Sequence, residues 1–349
     1  MKFYRRIFSA MAAMLLVFGL CPGAAEAEEL PTVSAQCWAL ADGDSGRILA
    51  SSGAEEPRLI ASTTKLMTAY TAVNLGLDLD ETVVVSAQAA GTEGSSLYLS
   101  SGEEISLRDL LWGMLLVSGN DAATALAEGC CGSVEAFVEK MNENAQELGM
   151  EQASFENPTG LDGENHHASA ADLVKLCQAV LADDTLAEIV SSRSATVAGR
   201  SLTNHNKLLG WYEGCIGLKT GYTQAAGRTL VSAARRDGVT LICVTLSDPD
   251  DWADHMALFD WGFDQYTQET LCQKGEILGC LSPYGLFGGE LHGADTVTAL
   301  MGEGDRVTSS LTLSPPVETE QGTQVGTLTY YIAGAKVGET ALLRETAPP

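Results

Sequence analysis

The sequence predicts an α+β protein followed by a smaller all-β domain. Strand-turn-strand patterns stand at both ends of the stretch up to about Phe263, with helical patterns between them. After about Gln268 the helical periodicity gives way to short pieces rich in Thr, Val and Gly.

The elements follow in chain order. CWALADGDSGRILA reads as a hairpin around Gly43. ASTTKLMTAY, from Ala61 to Tyr70, opens an apolar helix whose Ser62 and Lys65 are three residues apart and therefore on one face. Taken alone, that pair reads as an N-cap and a solvated lysine; the chemical alternative is a lysine nitrogen that takes the serine proton. A helix from Ser106 carries Leu107, Leu110, Leu111 and Met114 through to Val117, apolar all round and hence buried. LLVSGNDAATAL breaks it at Ser118-Gly119-Asn120, and another helix starts at once.

Past Ser133, the residues Val134, Phe137, Val138, Met141, Ala145 and Leu148 keep to one helical face until Gly149. Ser169 and Asp172 have capping-box spacing ahead of Leu173, Leu176, Cys177, Val180 and Leu181. GCIGLKTGYTQAAGRTLVSAA sets Lys219-Thr220-Gly221 between an apolar stub and a strand, and RTLVSAARRDGVTLICVTLS is a hairpin turning at Asp237-Gly238. TVTALMGEG, RVTSSLTLS, TQVGTLTYYIAG and KVGETALL are the strands of the last domain, which holds no cluster of acid, base and nucleophile. The expected boundaries are 30–265 for the first domain and 268–345 for the second.

The N-terminal MKFYRRIFSAMAAMLLVFGLCPGAAEA has Lys2, Arg5 and Arg6, an apolar run from Ile7 to Leu20, and an Ala-x-Ala site at Ala25 to Ala27. It reads as a signal peptide over 1–27, and Phe18, Gly19 and Leu20 before Cys21 make a poor lipobox. It carries three positive charges and one negative, so its removal takes the net charge from −26 to −28. That acidity excludes nucleic acid and an anionic membrane surface as electrostatic partners. The expected location is outside the cytoplasmic membrane, on the cell-wall side.

Eight cysteines remain after Cys21, most of them inside apolar patterns such as LICVTL and LVKLCQAV, which predicts mainly buried thiols. Cys272 and Cys280 have the spacing of one local bridge. His166, His167 and Asp172 lie together, but Asp172 stands where a cap belongs and no third ligand has recognisable spacing, so no metal or other cofactor is expected.

Each polar motif is ambiguous alone. In order, S-x-x-K at Ser62 and Lys65, S-x-N at Ser118 and Asn120, and K-T-G at Lys219 to Gly221 form a joint signal for acyl transfer to serine. With IASTTKLMTA, GSSLYLSSGEEISLRDLLWGMLLVSGNDAATALAE, FENPTGLDGENHHASAADLVKL, NHNKLLGWYEGCIGLKTGYTQAAGRTLVSAA and the DWGF at Asp260, the chain resembles the low-molecular-mass penicillin-binding proteins. Within them it is similar to the serine-type D-alanyl-D-alanine carboxypeptidases, sporulation-type members included. The likeness spans roughly Leu30 to Phe263.

The resemblance implies an antiparallel sheet flanked by helices with a helical lobe, as in β-lactamases and transpeptidases. It implies that the protein removes the terminal D-alanine from peptidoglycan stem pentapeptides through a serine acyl-enzyme and is acylated by β-lactam antibiotics. Ser62 would be the nucleophile, Lys65 its base and Ser118 a proton relay to the leaving amine. Asn120 would hold the substrate backbone, and Lys219 and Thr220 its terminal carboxylate. Gly221 would allow close approach, and the backbone N–H groups of Ser62 and Tyr222 would form the oxyanion hole. Half-neutralising a lysine at pH 7 takes a shift of roughly 3.4 units, about 4.6 kcal/mol, within reach of burial beside a second cation such as Lys219.

Two features depart from the family. TLSDPDDWADH is acidic where some relatives carry a carboxylate-binding arginine, leaving Arg228 as a helper. No amphipathic anchoring helix is evident at the C-terminal end, so a soluble secreted enzyme is expected unless the signal is retained as an anchor. A class A-like β-lactamase and a non-catalytic penicillin- or wall-binding protein on the same scaffold remain the alternatives. His205 and Asn206, in TNHNKLL shortly before the K-T-G, have two readings, a place lining the cleft and the preferred one, core or turn roles.

Overall fold

The alternating side chains of five antiparallel strands organise the first domain. The computed structural model describes residues 29–281, 289–319 and 322–344; the segment read as a signal peptide, 1–27, lies outside them. Strands β1 (Cys37–Asp42), β2 (Ile48–Ser52), β3 (Cys215–Thr223), β4 (Gly227–Arg236) and β5 (Val239–Leu246) form one sheet in the order β2-β1-β5-β4-β3. The β4–β5 turn is the expected one: Asp237 and Gly238 both have positive φ, 50° and 86°, which matches the twist of the flanking strands.

Both faces of this sheet are covered, which is why its strands read as nearly continuous apolar runs. Trp38, Leu40, Leu230 and Cys243 pack under Leu258 and Phe259 of a helix over Asp251–Gln265. Ala39, Ala41, Val231 and Val244 point the other way, into the main core beneath the helical lobe. That lobe contains α1 (Lys65–Asn74), α2 (Leu107–Leu116), α3 (Asn120–Cys131), α4 (Val134–Glu147) and α5 (Ala170–Ala182). Ser106, Ser133 and Ser169 cap α2, α4 and α5, and Asp172 closes a reciprocal box at α5.

The entry to α1 differs from the expectation of a capped helix. Residues Ala61–Thr64 form a 3-10 turn, and neither Ile60 nor Thr64 supplies a side-chain cap. In a 3-10 turn the side chains at i and i+3 eclipse, so Lys65 stands directly over Ser62.

Beyond Gln265 the described residues form strands and turns only. Strands Ile277–Leu281, Gly289–Gly293, Ala335–Arg344, Gly322–Ile332 and Val307–Thr319 form a sheet in that spatial order, and Tyr266–Cys272 pairs with Val297–Gly302. Arg47, next to β2, reaches across to Asp305 at 2.9 Å and to the Leu300 carbonyl at 2.5 Å. Cys272 keeps a free, buried thiol, contrary to the expected bridge with Cys280. The two cysteines lie on strands of different sheets, and the side chain of Cys280 is outside the described residues. Cys37, Cys177 and Cys243 are buried free thiols, as the apolar patterns predict. No helix among the described residues is long and apolar enough to cross a membrane.

The capping box ties the start of α5 to a buried, hydrogen-bonded serine. Ser169→Ala is expected to lower unfolding free energy by about 1 kcal/mol, measured as a lower urea midpoint at unchanged m-value.

Candidate active site

Lys65 is among the largest fully buried side chains of the described residues, with 0% exposure. Its Nζ lies 3.0 Å from Ser62 Oγ, 2.6 Å from Asn120 Oδ1 and 2.5 Å from the Thr159 carbonyl. The amide oxygen and the peptide carbonyl can only accept, so each takes a hydrogen of the amine. Ser62 Oγ accepts from Nζ too, and it is the one partner that could also donate to the lone pair of a neutral amine. Burial pushes the pKa of Lys65 well below the usual lysine value; the positive charge of Lys219 adds to the shift, and Asp121 opposes it. Lys219, itself 1% exposed, is brought down by burial to about 7.

Three parts of the chain hold this nitrogen. The α2–α3 break brings Asn120, and Ser118 there has φ 62°, a strained value for a non-glycine residue. The carboxylate of Asp121, fully buried, accepts from the N–H groups of Leu97 and Leu99 and from Ser96 Oγ, fixing the facing loop. The second part is 157–160, where Asn157 Oδ1 accepts from the N–H groups of Thr159 and Gly160 and so aims the Thr159 carbonyl at Lys65.

His166 braces the same segment. Its Nδ1 accepts from the Glu156 N–H, so Nε2 carries the hydrogen and donates to Thr64 Oγ1 at 2.7 Å. Burial lowers its pKa to about 4, keeping it neutral. Both ring nitrogens of His166 are thus engaged, Asp172 accepts from the Ser169 and Gln152 N–H groups, and no cluster of three or more potential ligands occurs among the described residues.

The third part is β3, which carries Lys219, Thr220, Gly221 and Tyr222 along the sheet edge. A Cβ on Gly221 would come within 2.3 Å of Thr229 Oγ1 and 3.0 Å of the Ser62 nitrogen, so only glycine lets the Ser62 turn lie against this strand. Thr229 Oγ1 ties the two together through the Ile60 carbonyl. The Tyr222 ring is 68% exposed.

Ser62, Ser118, Thr220, Gly221 and Tyr222 all border one open cavity of about 460 Å³. Lys65 and Lys219 lie buried behind it. The Asn120 amide is largely engaged within the protein: Oδ1 is held by Lys65 and Nδ2 donates to the Glu93 carbonyl at 2.6 Å. Only its second Nδ2 hydrogen is left for a ligand. Arg228 also lines the cavity, ion-paired to Asp251 at the start of the last helix of this domain and stacked over Trp252 at 5.7 Å. The acidic stretch thus supplies the partner of the arginine.

Sequence reasoning missed Thr159, which acts through its backbone and has no residue-type signature. Of the two readings for His205 and Asn206, the cleft holds for His205, which borders the cavity, and the turn role for Asn206, which is buried and bonded to the Gly217 carbonyl at 2.9 Å.

Comparisons with known proteins agree with one another. A family model described as D-alanyl-D-alanine carboxypeptidase, peptidase S11, matches residues 24–250. The D-alanyl-D-alanine carboxypeptidase DacF of Bacillus subtilis is 32% identical over 78% of this chain and 75% of its own length. DacC of Escherichia coli is 32% identical over 97% of this chain and 90% of its own. Penicillin-binding protein 5 of Haemophilus influenzae superposes with a TM-score of 0.77 at 27% identity, covering 91% of this chain and 98% of that one.

Gly160 has φ 85°, and a Cβ there would stand 2.0 Å from the Ala61 carbonyl oxygen. Gly160→Ala is expected to cost at least about 1 kcal/mol from backbone strain alone and to displace Ser62. Thermal unfolding and the rate of covalent modification of Ser62 should fall together.

Proposed function

The chain belongs to the D-alanyl-D-alanine carboxypeptidase family, and from that premise we propose that it removes the terminal D-alanine of peptidoglycan stem peptides through an acyl-enzyme on Ser62. The observation that carries the reading is the buried Lys65 nitrogen 3.0 Å from Ser62 Oγ, with two pure acceptors taking its hydrogens.

The substrate carboxylate binds beside Lys219 and Thr220, with Arg228 close by, so the D-alanyl carbonyl lies over Ser62. Lys65 withdraws the hydroxyl proton as Oγ attacks. Negative charge developing on the carbonyl oxygen is met by the backbone N–H groups of Ser62 and Tyr222, which adjoin because Gly221 lets their segments touch. The proton passes by way of Ser118 to the departing amine, and D-alanine leaves. Water then attacks the ester with Lys65 again as base, restoring Ser62.

The three groups bonded to Lys65 are a hydroxyl, an amide oxygen and a carbonyl. None is a carboxylate of the kind that positions a deacylating water in a class A β-lactamase. Penicillin is therefore expected to acylate Ser62 and to leave slowly. The site of action is outside the cytoplasmic membrane, on the cell-wall side.

A fluorescent penicillin should label the protein and fail to label Ser62→Ala, and D-alanine release from a pentapeptide should drop by about 10⁴-fold or more in that variant. Unaltered release from Ser62→Ala would refute the assignment, and rapid turnover of penicillin would favour the β-lactamase reading. The pH dependence gives a second test. The base works deprotonated, and the charge of Lys219 lowers the proton affinity of Lys65. Lys219→Met should move the acid limb of the Ser62 acylation rate to higher pH, whatever its effect on the plateau.

A further inference from the structure

The strap of chain that leads into β1 meets two buried carboxyls of the acidic stretch. Ser34 Oγ lies 2.9 Å from Asp248 Oδ1 and 2.7 Å from Asp254 Oδ2, and the Ser34 N–H donates to the same Asp254 oxygen at 2.6 Å. Asp248 is 1% exposed and Asp254 7%. A hydroxyl has one hydrogen to give, and two ionised carboxylates have none. Two oxygen contacts of that length need two hydrogens, so the trio closes only when one carboxyl is protonated. Asp254 Oδ2 already accepts from the Ser34 N–H, which makes Asp248 the carrier. Its carboxyl donates to Ser34 Oγ, and the hydroxyl passes its own hydrogen to Asp254. Ser34 is itself exposed, so the proton can exchange with solvent.

The surroundings favour that proton. Asp254 faces Asp248 from the helix over Asp251–Gln265, Asp250 and Asp251 lie on the turn before and at its start, and the Cys243 thiol approaches from β5. Arg228, the cation in range from β4, is committed to Asp251. His255 is kept neutral by burial and reaches the site only through Thr245. Burial and the charge of Asp254 raise the pKa of Asp248 to about 6, against the hydrogen bonds from Thr245, Ser34 and the Asp250 N–H.

The same turn reaches the catalytic cavity. The Asp248 N–H donates to the Arg228 carbonyl at 2.9 Å, and the Gln36 N–H of the strap donates to the Ser247 carbonyl at 3.3 Å. Ser247 holds φ 54°, a strained value that persists only while its surroundings fix it. Three residues beyond Asp248, Asp251 holds the Arg228 guanidinium on the cavity wall.

We propose that Asp248, Ser34 and Asp254 form a proton-gated clasp, which locks the strap to the 247–251 turn and thereby positions Arg228 for the substrate carboxylate. Asp248 is a positioning residue and touches no substrate. The link to substrate rests on the carboxypeptidase reading; the clasp itself does not. In an unfolded chain an aspartate titrates near 3.9. The clasp therefore contributes fully below that value and is lost as pH rises through about 6. Lys65 works in the opposite sense, gaining as a base with rising pH, so acid tightens substrate binding while it slows proton withdrawal.

The test compares the purified wild type with Asp248→Asn and Ser34→Ala at pH 5 and pH 7.5. Hydrogen exchange of the Ser34 and Gln36 amides, corrected for the intrinsic rate, should be at least about tenfold faster at the higher pH in the wild type. An amide donates to Ser34 Oγ at either pH, so Asp248→Asn should exchange slowly at both, and Ser34→Ala, without the bridge, fast at both. KM for D-alanine release from a pentapeptide should rise at least about threefold from pH 5 to 7.5 in the wild type and stay level in Asp248→Asn. Strap exchange independent of pH in the wild type, or the wild-type dependence retained in Asp248→Asn, would overturn the clasp. Strap opening with KM unmoved would overturn its link to Arg228. A chain that releases no D-alanine would reject the carboxypeptidase reading, and exchange, read without substrate, would still decide the clasp.

Discussion

The structure turns on one lysine nitrogen kept out of water. A lysine buried without a carboxylate partner is costly as an ammonium, and the cost is relieved by giving up the proton. Lys65 is in that position, held among three oxygens with a second buried lysine adding positive potential. The desolvation that would count against stability elsewhere is what lowers the proton affinity of this amine, and Ser62 is the one bonded partner from which a proton could come.

Much of the first domain serves that arrangement. The 3-10 turn sets Lys65 over Ser62, the α2–α3 break delivers Asn120, and the Asn157 turn delivers the Thr159 carbonyl. Two glycines without competing Cβ atoms let separate segments close on the Ser62 turn: Gly221 from the sheet and Gly160 from the opposite strap. Behind them, Asp121 and His166 hold the supporting loops with fully engaged polar groups, so the site is rigid before any ligand arrives. Ser118, strained at φ 62°, stands in the wall of the cavity, where the bonds of its neighbour Asn120 hold the backbone.

Local signals in the sequence were legible wherever a residue type carries its own geometry. Asp237-Gly238 specified a hairpin turn, Ser169 with Asp172 specified a capping box, and the apolar periodicity located α2, α4 and α5. The spacing of Ser62 and Lys65 put them on one face, although the turn beneath them is 3-10 and not a capped α-helix start. What stayed hidden depends on the backbone or on distant partners. The Thr159 carbonyl could have come from almost any residue type, and only Gly160 beside it hints at close packing. Asp251 reads as one acid among several until the fold brings Arg228 to it. His205 and Asn206 are neighbours in sequence, yet one is a cleft wall and the other a buried anchor.

The claim that organises all of this is that Lys65 is uncharged in the folded protein at neutral pH. Carbon-13 NMR of lysines labelled at Cε, with the Lys65 resonance assigned by its loss in Lys65→Gln, measures that directly. The account predicts that the Lys65 resonance titrates far below the ordinary lysine value of about 10.4. A Lys65 resonance titrating near that ordinary value in folded protein that penicillin still labels would contradict it.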